Sequence, residues 1–369
     1  MSAPLPLPRW ADVALLPLVN VAVALIISGL VVVAIGENPF VATRLLLTGS
    51  LSSFYGLGYT LFYATNFIFT GLAVAVALRA GLFNIGGEGQ AYIAGLGAAL
   101  ACLHLPFLPA ILLIPVGVAA AAFAGAAWAF VPAYLQARRG SHIVITTIMF
   151  NWLATALMSY LLVNVLRLPD QMNTETPPFA PQSYLPTMNG VWHALGVKVP
   201  DTPVNFSFAL ALLAVAGVWW LIWRTRLGYE IRTVGLSATA AVYAGISPAR
   251  IILISMSLSG ALAAGLAVNE LMGFQHRLML EFTAGYGFVG FAVALMGRSH
   301  PFGILLSALL FGVLYQGGAE LAFEMPKISR DMIVVIQGLV VLFVGALEGL
   351  FRRPLSRLIA IRLTPRGVS

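Results

Sequence analysis

The chain holds two lysines, Lys198 and Lys327, and neither follows a glycine-rich run. A phosphate-binding P-loop needs glycine-rich backbone closed by Lys and Ser/Thr, so any ATP chemistry must come from another polypeptide. The histidines His104, His142, His193, His276 and His300 are scattered and meet no metal-ligand spacing. Cys102 is the only cysteine and lies in an apolar Ala/Leu run, which offers neither a disulfide framework nor a metal cluster. No Ser/His pair or acidic metal cluster falls within an apolar stretch. No catalytic residue, metal site or cofactor is expected in this chain.

Two segments carry polar chemistry of another kind. The first runs Gly81-Leu82-Phe83-Asn84-Ile85-Gly86-Gly87-Glu88-Gly89-Gln90 and follows Arg79. On a helix, Glu88 lies about 13 Å beyond Arg79. An ionisable group facing lipid costs about 2.5–3.5 kcal/mol on insertion scales, so Glu88 must face protein or water. Asn84, Glu88 and Gln90 therefore either line a pathway or form a buried hydrogen-bonded knot that fixes helix packing. Thr146, Thr147 and Asn151 fall on one later apolar stretch and carry the same two readings. Glu270 and Glu281 flank a predicted outside loop, with nothing in the sequence to select them.

The second segment, residues 225–249, is polar and basic. Ser237 suits a helix N-cap and Gly245 a C′ position. Ala238–Ala244 between them makes about two turns, some 10 Å, too short to cross a bilayer. Ser247-Pro248 restarts the chain as a cap and first helical residue. With Arg232 and Arg250 on either side, and Ala240, Ala241, Tyr243 and Ala244 on the helix, the segment reads as an insert for a groove on a cytoplasmic partner. An ordinary amphipathic interfacial turn fits the same residues.

The elements that must position these residues are apolar. Of 369 residues 60% are hydrophobic and 9% charged, with a mean hydropathy of +0.94. A soluble domain carries about 25% charged residues, so lipid is the solvent. Ten spans emerge: Val13–Ile35, Leu57–Leu78, Leu82–Leu103, Ile111–Leu135, Ile143–Leu166, Phe206–Trp223, Ile251–Met272, Phe288–Met296, Ile304–Gly317 and Met332–Leu350. The first is too long for a signal-peptide core and reads as a retained helix. Gly285, Gly287 and Gly290 loosen the eighth, which is expected to be broken or re-entrant.

Charge orients the spans. With a cytoplasmic N-terminus, Arg138 and Arg139 fall inside, as do Arg224, Arg226, Arg232 and Arg250 against Glu230, then Arg298 and the tail arginines. The two longest outside loops each sum to minus one: Arg167 and Lys198 against Asp170, Glu175 and Asp201, and Lys327 and Arg330 against Glu320, Glu324 and Asp331. Both termini are thus expected in the cytoplasm. The net charge of +7 reflects this orientation, not nucleic-acid binding. The expected layout is one transmembrane domain over 1–369: embedded across about 13–350, with a proline-rich external loop at 169–203 able to carry a short interfacial helix near Val191–Leu195. The cytoplasmic segment 225–249 and a basic cytoplasmic tail at 351–369 complete it.

Asn84–Gln90 resembles the NIGxEGQ signature of nucleoside and simple-sugar permeases, in the branched-chain-amino-acid/ribose class of ABC importers. The run from Gly228 through Glu230-Ile231-Arg232, Val234-Gly235, Ala240-Ala241 and Tyr243–Ile246 is similar to that class's coupling segment. Ser259–Gly265 and Val293–Pro301 match further family blocks. Ser237-Ala238-Thr239 departs from the Gly-x-Asn-Pro often found there. The resemblance covers about Phe54 to Gly349. It implies an all-α, polytopic type II importer fold of about ten helices in a bacterial cytoplasmic membrane. It also implies an extracytoplasmic binding protein, often a lipoprotein, and a cytoplasmic ATPase with two nucleotide-binding domains that holds the ATP and Mg. A second, non-identical permease subunit commonly completes the pore. Arg232, Ser237, Ala240, Ala241, Tyr243, Ala244 and Gly245 would couple to that ATPase. Nucleoside import is the leading expectation, with a simple-sugar permease as alternative. An ion-coupled secondary transporter would want midplane ionisable groups in repeated halves, for which Glu88 is the one candidate.

Overall fold

The computed structural model describes residues 15–167, 173–190, 196 and 200–342. The start of the first expected span, the Val191–Leu195 helix, the end of the tenth span and the 351–369 tail lie outside them. The described chain is helical, and its only β pairing is two isolated bridges. It divides into two compact units, Leu51–Tyr315 and the flanking segments Met1–Ser50 with Gln316–Ser369.

In the flanking unit, α1 (Leu16–Ala34) and α2 (Pro39–Leu51) meet at a bend of 119°. Sequence reading left residues 36–56 without a helix, and α2 corrects it. Thr43, Arg44, Thr48 and Ser50 interrupt its apolar run, so hydropathy underrates it. Asn38 nevertheless caps its start through the Phe40 N–H at 2.9 Å. Val32, Ala42, Leu321, Ile328, Ile333 and Ile336 form this unit's core, and Lys327 pairs with Glu37 at 3.1 Å.

The larger unit is built on α3 (Phe54–Arg79), whose start is capped by Ser53. An apolar 18-residue stretch of it is 83% buried, against 22% for the corresponding stretches of α5 (Ala110–Arg139) and of α6 (Ile143–Leu161) with its π-helical extension to Leu166. The central helix is therefore α3, and α5 and α6 turn apolar faces outward. Around it pack α7 (Ser207–Arg224) and α10 (Pro248–Ala267), while α4 (Gly87–His104) packs on α5 and α10. A π-helical stretch, Val268–Gln275, prolongs α10. Helices α5 and α10 approach backbone to backbone: a Cβ on Gly260 would come within 2.7 Å of the Ala129 Cβ and of the Gly125 carbonyl carbon. Small residues permit such contact where lipid supplies no hydrophobic drive. Two short helices, α8 (Arg226–Leu236) and α9 (Ala238–Tyr243), separate α7 from α10. The remaining elements are α11 (Tyr286–Met296), α12 (Pro301–Glu324), which runs on into the flanking unit, and α13 (Arg330–Val341) of that unit.

Among the described residues, six helices are long and apolar enough to cross a bilayer, or seven if the bent α1–α2 pair is one span. The expected count of about ten is not reached among them: the first and tenth expected spans run beyond the described residues, and the eighth is short. The eighth span is α11, whose 11 residues rise about 16 Å, half of a hydrocarbon core of about 30 Å. It is the broken element that its glycines foretold. By contrast α12, expected over Ile304–Gly317, is 24 residues long.

Candidate functional site

Between α3 and α4 the chain unwinds over residues 80–86 and Asn84 holds the turn. Its Oδ1 accepts from the Gly86 N–H at 2.9 Å and from Gln90 Nε2 at 3.1 Å. Its Nδ2 donates to Gln90 Oε1 at 3.1 Å and to Ser259 Oγ at 2.9 Å, and Ser259 donates onward to the Ala73 carbonyl at 2.6 Å. Both amides are buried, and Asn84 has all four of its hydrogen-bonding positions used. Asn84 and Gln90 are thus the packing knot of the two readings.

Gly86, the N-cap of α4, has no side chain to satisfy the helix's first N–H groups. Asn151 of α6 does so from across the bundle: its Oδ1 accepts from the Gly89 N–H at 2.9 Å, and its Nδ2 donates to the Ile85 carbonyl at 3.0 Å. Thr147 is buried and Thr146 partly so, yet their hydroxyls bond only carbonyls of their own helix.

Glu88 does for α11 what Asn151 does for α4. Its carboxylate accepts from the N–H groups of Gly285 and Gly287 at 2.9 and 2.7 Å, at the start of a helix whose own N-cap is a glycine. The negative charge sits at that helix's positive end. Contact this close requires Gly287, where a Cβ would stand 2.5 Å from the Glu88 Cα.

The segment leading into α11 is irregular, with His276, Glu281 and Ala284 all at positive φ. Non-helical backbone at membrane depth must be buried in protein or line a cavity. The loop before α7 packs on it: Phe179 and Thr176 N–H groups donate to the His276 and Leu278 carbonyls at 2.7 and 3.0 Å, and Glu175 pairs with Arg277 at 2.8 Å. On the other side is a cavity of about 540 Å³. Glu88 and Tyr92 of α4, Asn151, Trp152 and Thr155 of α6, and Glu281 reach its wall. Of the sequence candidates, the structure brings Glu88 and Asn151 together there. Asn84, Gln90, Thr146 and Thr147 are not part of the wall. Sequence reading missed Tyr92 and Thr155, although each lies one helical turn beyond a residue it chose. Nothing local marks Glu281.

A second buried acid, Glu270, accepts from Asn66 Nδ2 at 2.7 Å and Gln275 Nε2 at 3.1 Å, and no cation pairs with it among the described residues.

At the other candidate segment, Ser237 closes α8 and caps α9, accepting from the Ala240 N–H at 3.2 Å. Gly245 adopts φ +74°, with Gly245 and Ile246 N–H groups donating to the Val242 and Ala241 carbonyls at 3.0 and 2.9 Å. This is a Schellman close. Tyr243 is 92% exposed, and Ala240, Val242 and Ala244 are exposed beside it. Ala241 is fully buried within its own chain, which corrects the expectation that it faces a partner's groove. Arg232 is partly buried and donates to the Gly228 carbonyl of its own helix at 3.4 Å.

Residues 56–345 match the family described as branched-chain amino acid transport system / permease component. The chain belongs to this family. The permease is 36% identical over 334 residues to the glucose ABC transporter permease TsgB13 of Haloferax volcanii, covering 89% of this chain and 86% of that one. It is 32% identical to the guanosine ABC transporter permease NupP of Bacillus subtilis, covering 90% and 93%. Identity to the nucleoside ABC transporter permease NupB of Lactococcus lactis is 30%, covering 90% of each chain. The permease is therefore an all-helical, multi-pass component of an ABC transport system.

Proposed function

We propose that this permease is the membrane subunit of an ATP-driven importer for a nucleoside, delivered by an extracytoplasmic binding protein. The observation that carries the reading is near-full-length similarity to two permeases named for nucleoside and guanosine transport. The cavity beside Glu88 supports it: 540 Å³ falls within the range of about 300–1,000 Å³ for small-molecule sites. A simple sugar is the second reading, favoured by the relative named for glucose.

In this reading the whole chain acts as one type II permease domain with both termini cytoplasmic, and the outer loop at 169–203 faces the binding protein. A second, non-identical permease completes the pore against the apolar outward face of α6. A separate ATPase with two nucleotide-binding domains holds ATP and Mg and pushes on α9. Transport is alternating access, with Glu88 and Asn151 holding the pathway wall in register.

The test is ATP-dependent uptake by membrane vesicles carrying the complete transporter and its binding protein. Tritiated guanosine should accumulate, and excess unlabelled glucose should leave it unchanged. Uptake of labelled glucose in place of guanosine establishes the sugar reading. Reporters fused after Gly140 and within Pro177–Pro186 should read inside and outside respectively, and the reverse result discards the topology.

A further inference from the structure

We propose that Glu281 is the specificity-determining residue of the pathway cavity, accepting hydrogen bonds from ring N–H groups of an uncharged heteroaromatic cargo and turning phosphorylated cargo away. The proposal rests on the nucleoside reading above and adds a named recognition group to it.

Four observations converge on this residue. Glu281 holds φ +58°, a left-handed conformation that side-chain-bearing residues adopt only against strain. Two hydrogen bonds fix it there: its N–H donates to the Tyr92 hydroxyl at 2.7 Å, and its carbonyl accepts from the Ala284 N–H at 2.9 Å. A glycine would meet the same backbone demand without strain, so the side chain has another use. Glu281 lines the cavity and is exposed, and its side chain has no hydrogen-bond or ion-pair partner among the described residues. Glu88 differs sharply, since two backbone N–H groups already occupy its carboxylate.

The surroundings narrow the ligand. Among the described residues no Lys, Arg or His lines the cavity, while two carboxylates do. A phosphate entering this space would meet like charge with no counterion. Trp152 and Phe288 line it, 74% and 49% exposed, and aromatic rings suit a planar cargo. The Tyr92 hydroxyl accepts from Glu281, so its own hydrogen remains to be donated to a ring nitrogen or carbonyl. A carboxylate accepts strongly from N–H donors, and a purine edge with adjacent ring and amino N–H groups offers two of them.

The experiment compares uptake of guanosine with that of 1-methylguanosine, which lacks the ring N–H, in vesicles carrying the complete transporter. The same binding protein serves every variant, so its own preference cancels from the ratio. Wild type should favour guanosine, and Glu281→Gly, which preserves the left-handed backbone, should narrow the ratio about tenfold, the scale of one charge-assisted hydrogen bond. Glu281→Gln keeps an acceptor and should fall between them. Because the native Cys102 is buried, Glu281→Cys can be labelled by a thiosulfonate reagent, and guanosine should slow that labelling during turnover. An unchanged uptake ratio in Glu281→Gly overturns the assignment while leaving nucleoside transport intact, as does an equal loss of both compounds. Labelling of Glu281→Cys unaffected by guanosine removes the cavity from the pathway. Wild-type vesicles that take up no guanosine overturn the nucleoside reading together with this proposal.

Discussion

The unwound start of α4 and the capped helix α9 are both short polar interruptions of an apolar chain, yet they end their polar groups in opposite ways. At α4 the polar groups bond inward. Asn84 and Gln90 bond each other, Asn151 caps the start of α4, and Glu88 caps the start of α11. At α9 the backbone is satisfied by its own Ser237 and Gly245, which leaves Tyr243 and Val242 92% and 59% exposed. The difference follows from the solvent. In hydrocarbon an unmet N–H costs several kcal/mol, so helix ends must borrow caps from neighbours and the network becomes rigid. Where water can meet a polar group a local cap suffices, and the apolar tips beside it can stay exposed.

The largest effect is expected where the inward network is broken. Glu88→Leu orphans the N–H groups of Gly285 and Gly287, at about 1–3 kcal/mol each. It should lower both the melting temperature of the purified permease and uptake, with Glu88→Gln milder on both. Equal, wild-type-like behaviour of the two variants would remove the capping role. Gly287→Ala should follow, since its Cβ overlaps Glu88 and overpacking costs about 1–3 kcal/mol. A melting temperature unchanged by it would mean that the α4–α11 contact is loose.

The outward segment should respond differently. Removing both exposed tips with Val242→Ser and Tyr243→Ala should leave the melting temperature in place and cut uptake about tenfold or more, the scale of an aromatic interface anchor. Co-purification of the ATPase is the direct readout, and full recovery of both would show that α9 is not the docking element. Ala241→Trp sharpens the contrast: with Ala241 buried, it should destabilise the permease itself before any partner is present. The smallest change is Ser237→Ala, which removes one cap at about 1 kcal/mol and should reduce uptake modestly. An effect as large as the Tyr243 double variant would mean that Ser237 itself touches the partner.

Much of this was legible residue by residue. Caps at Ser237, Gly245 and Ser247 act within a few positions of themselves, so local sequence suffices to find them. Glycines at 285, 287 and 290 announced a broken span for the same reason. Helix α2 escapes because Thr43, Arg44, Thr48 and Ser50 break its apolar run well short of a membrane-crossing length. Ala241 was misjudged because a six-residue helix of small side chains has no periodic signal to say which face is covered. Glu270 and Glu281 lie eleven positions apart and look alike in sequence. One is buried against Asn66 and Gln275, and the other stands free at the cavity.

Sequence by itself determined that the chain lives in lipid, that it carries no P-loop, where its helices cap, and, through Asn84–Gln90 and Gly228–Ile246, which permease family it joins. These properties depend on composition and on neighbours within a turn or two. Tertiary structure alone decided what each polar group spends its hydrogen bonds on: Glu88 on a helix start almost two hundred residues away, Asn151 on α4, Ser259 on α3. The physical reason is that a bilayer offers no water to satisfy a polar atom, so its partner must come from whichever element packs beside it. That pairing is a property of the assembled bundle.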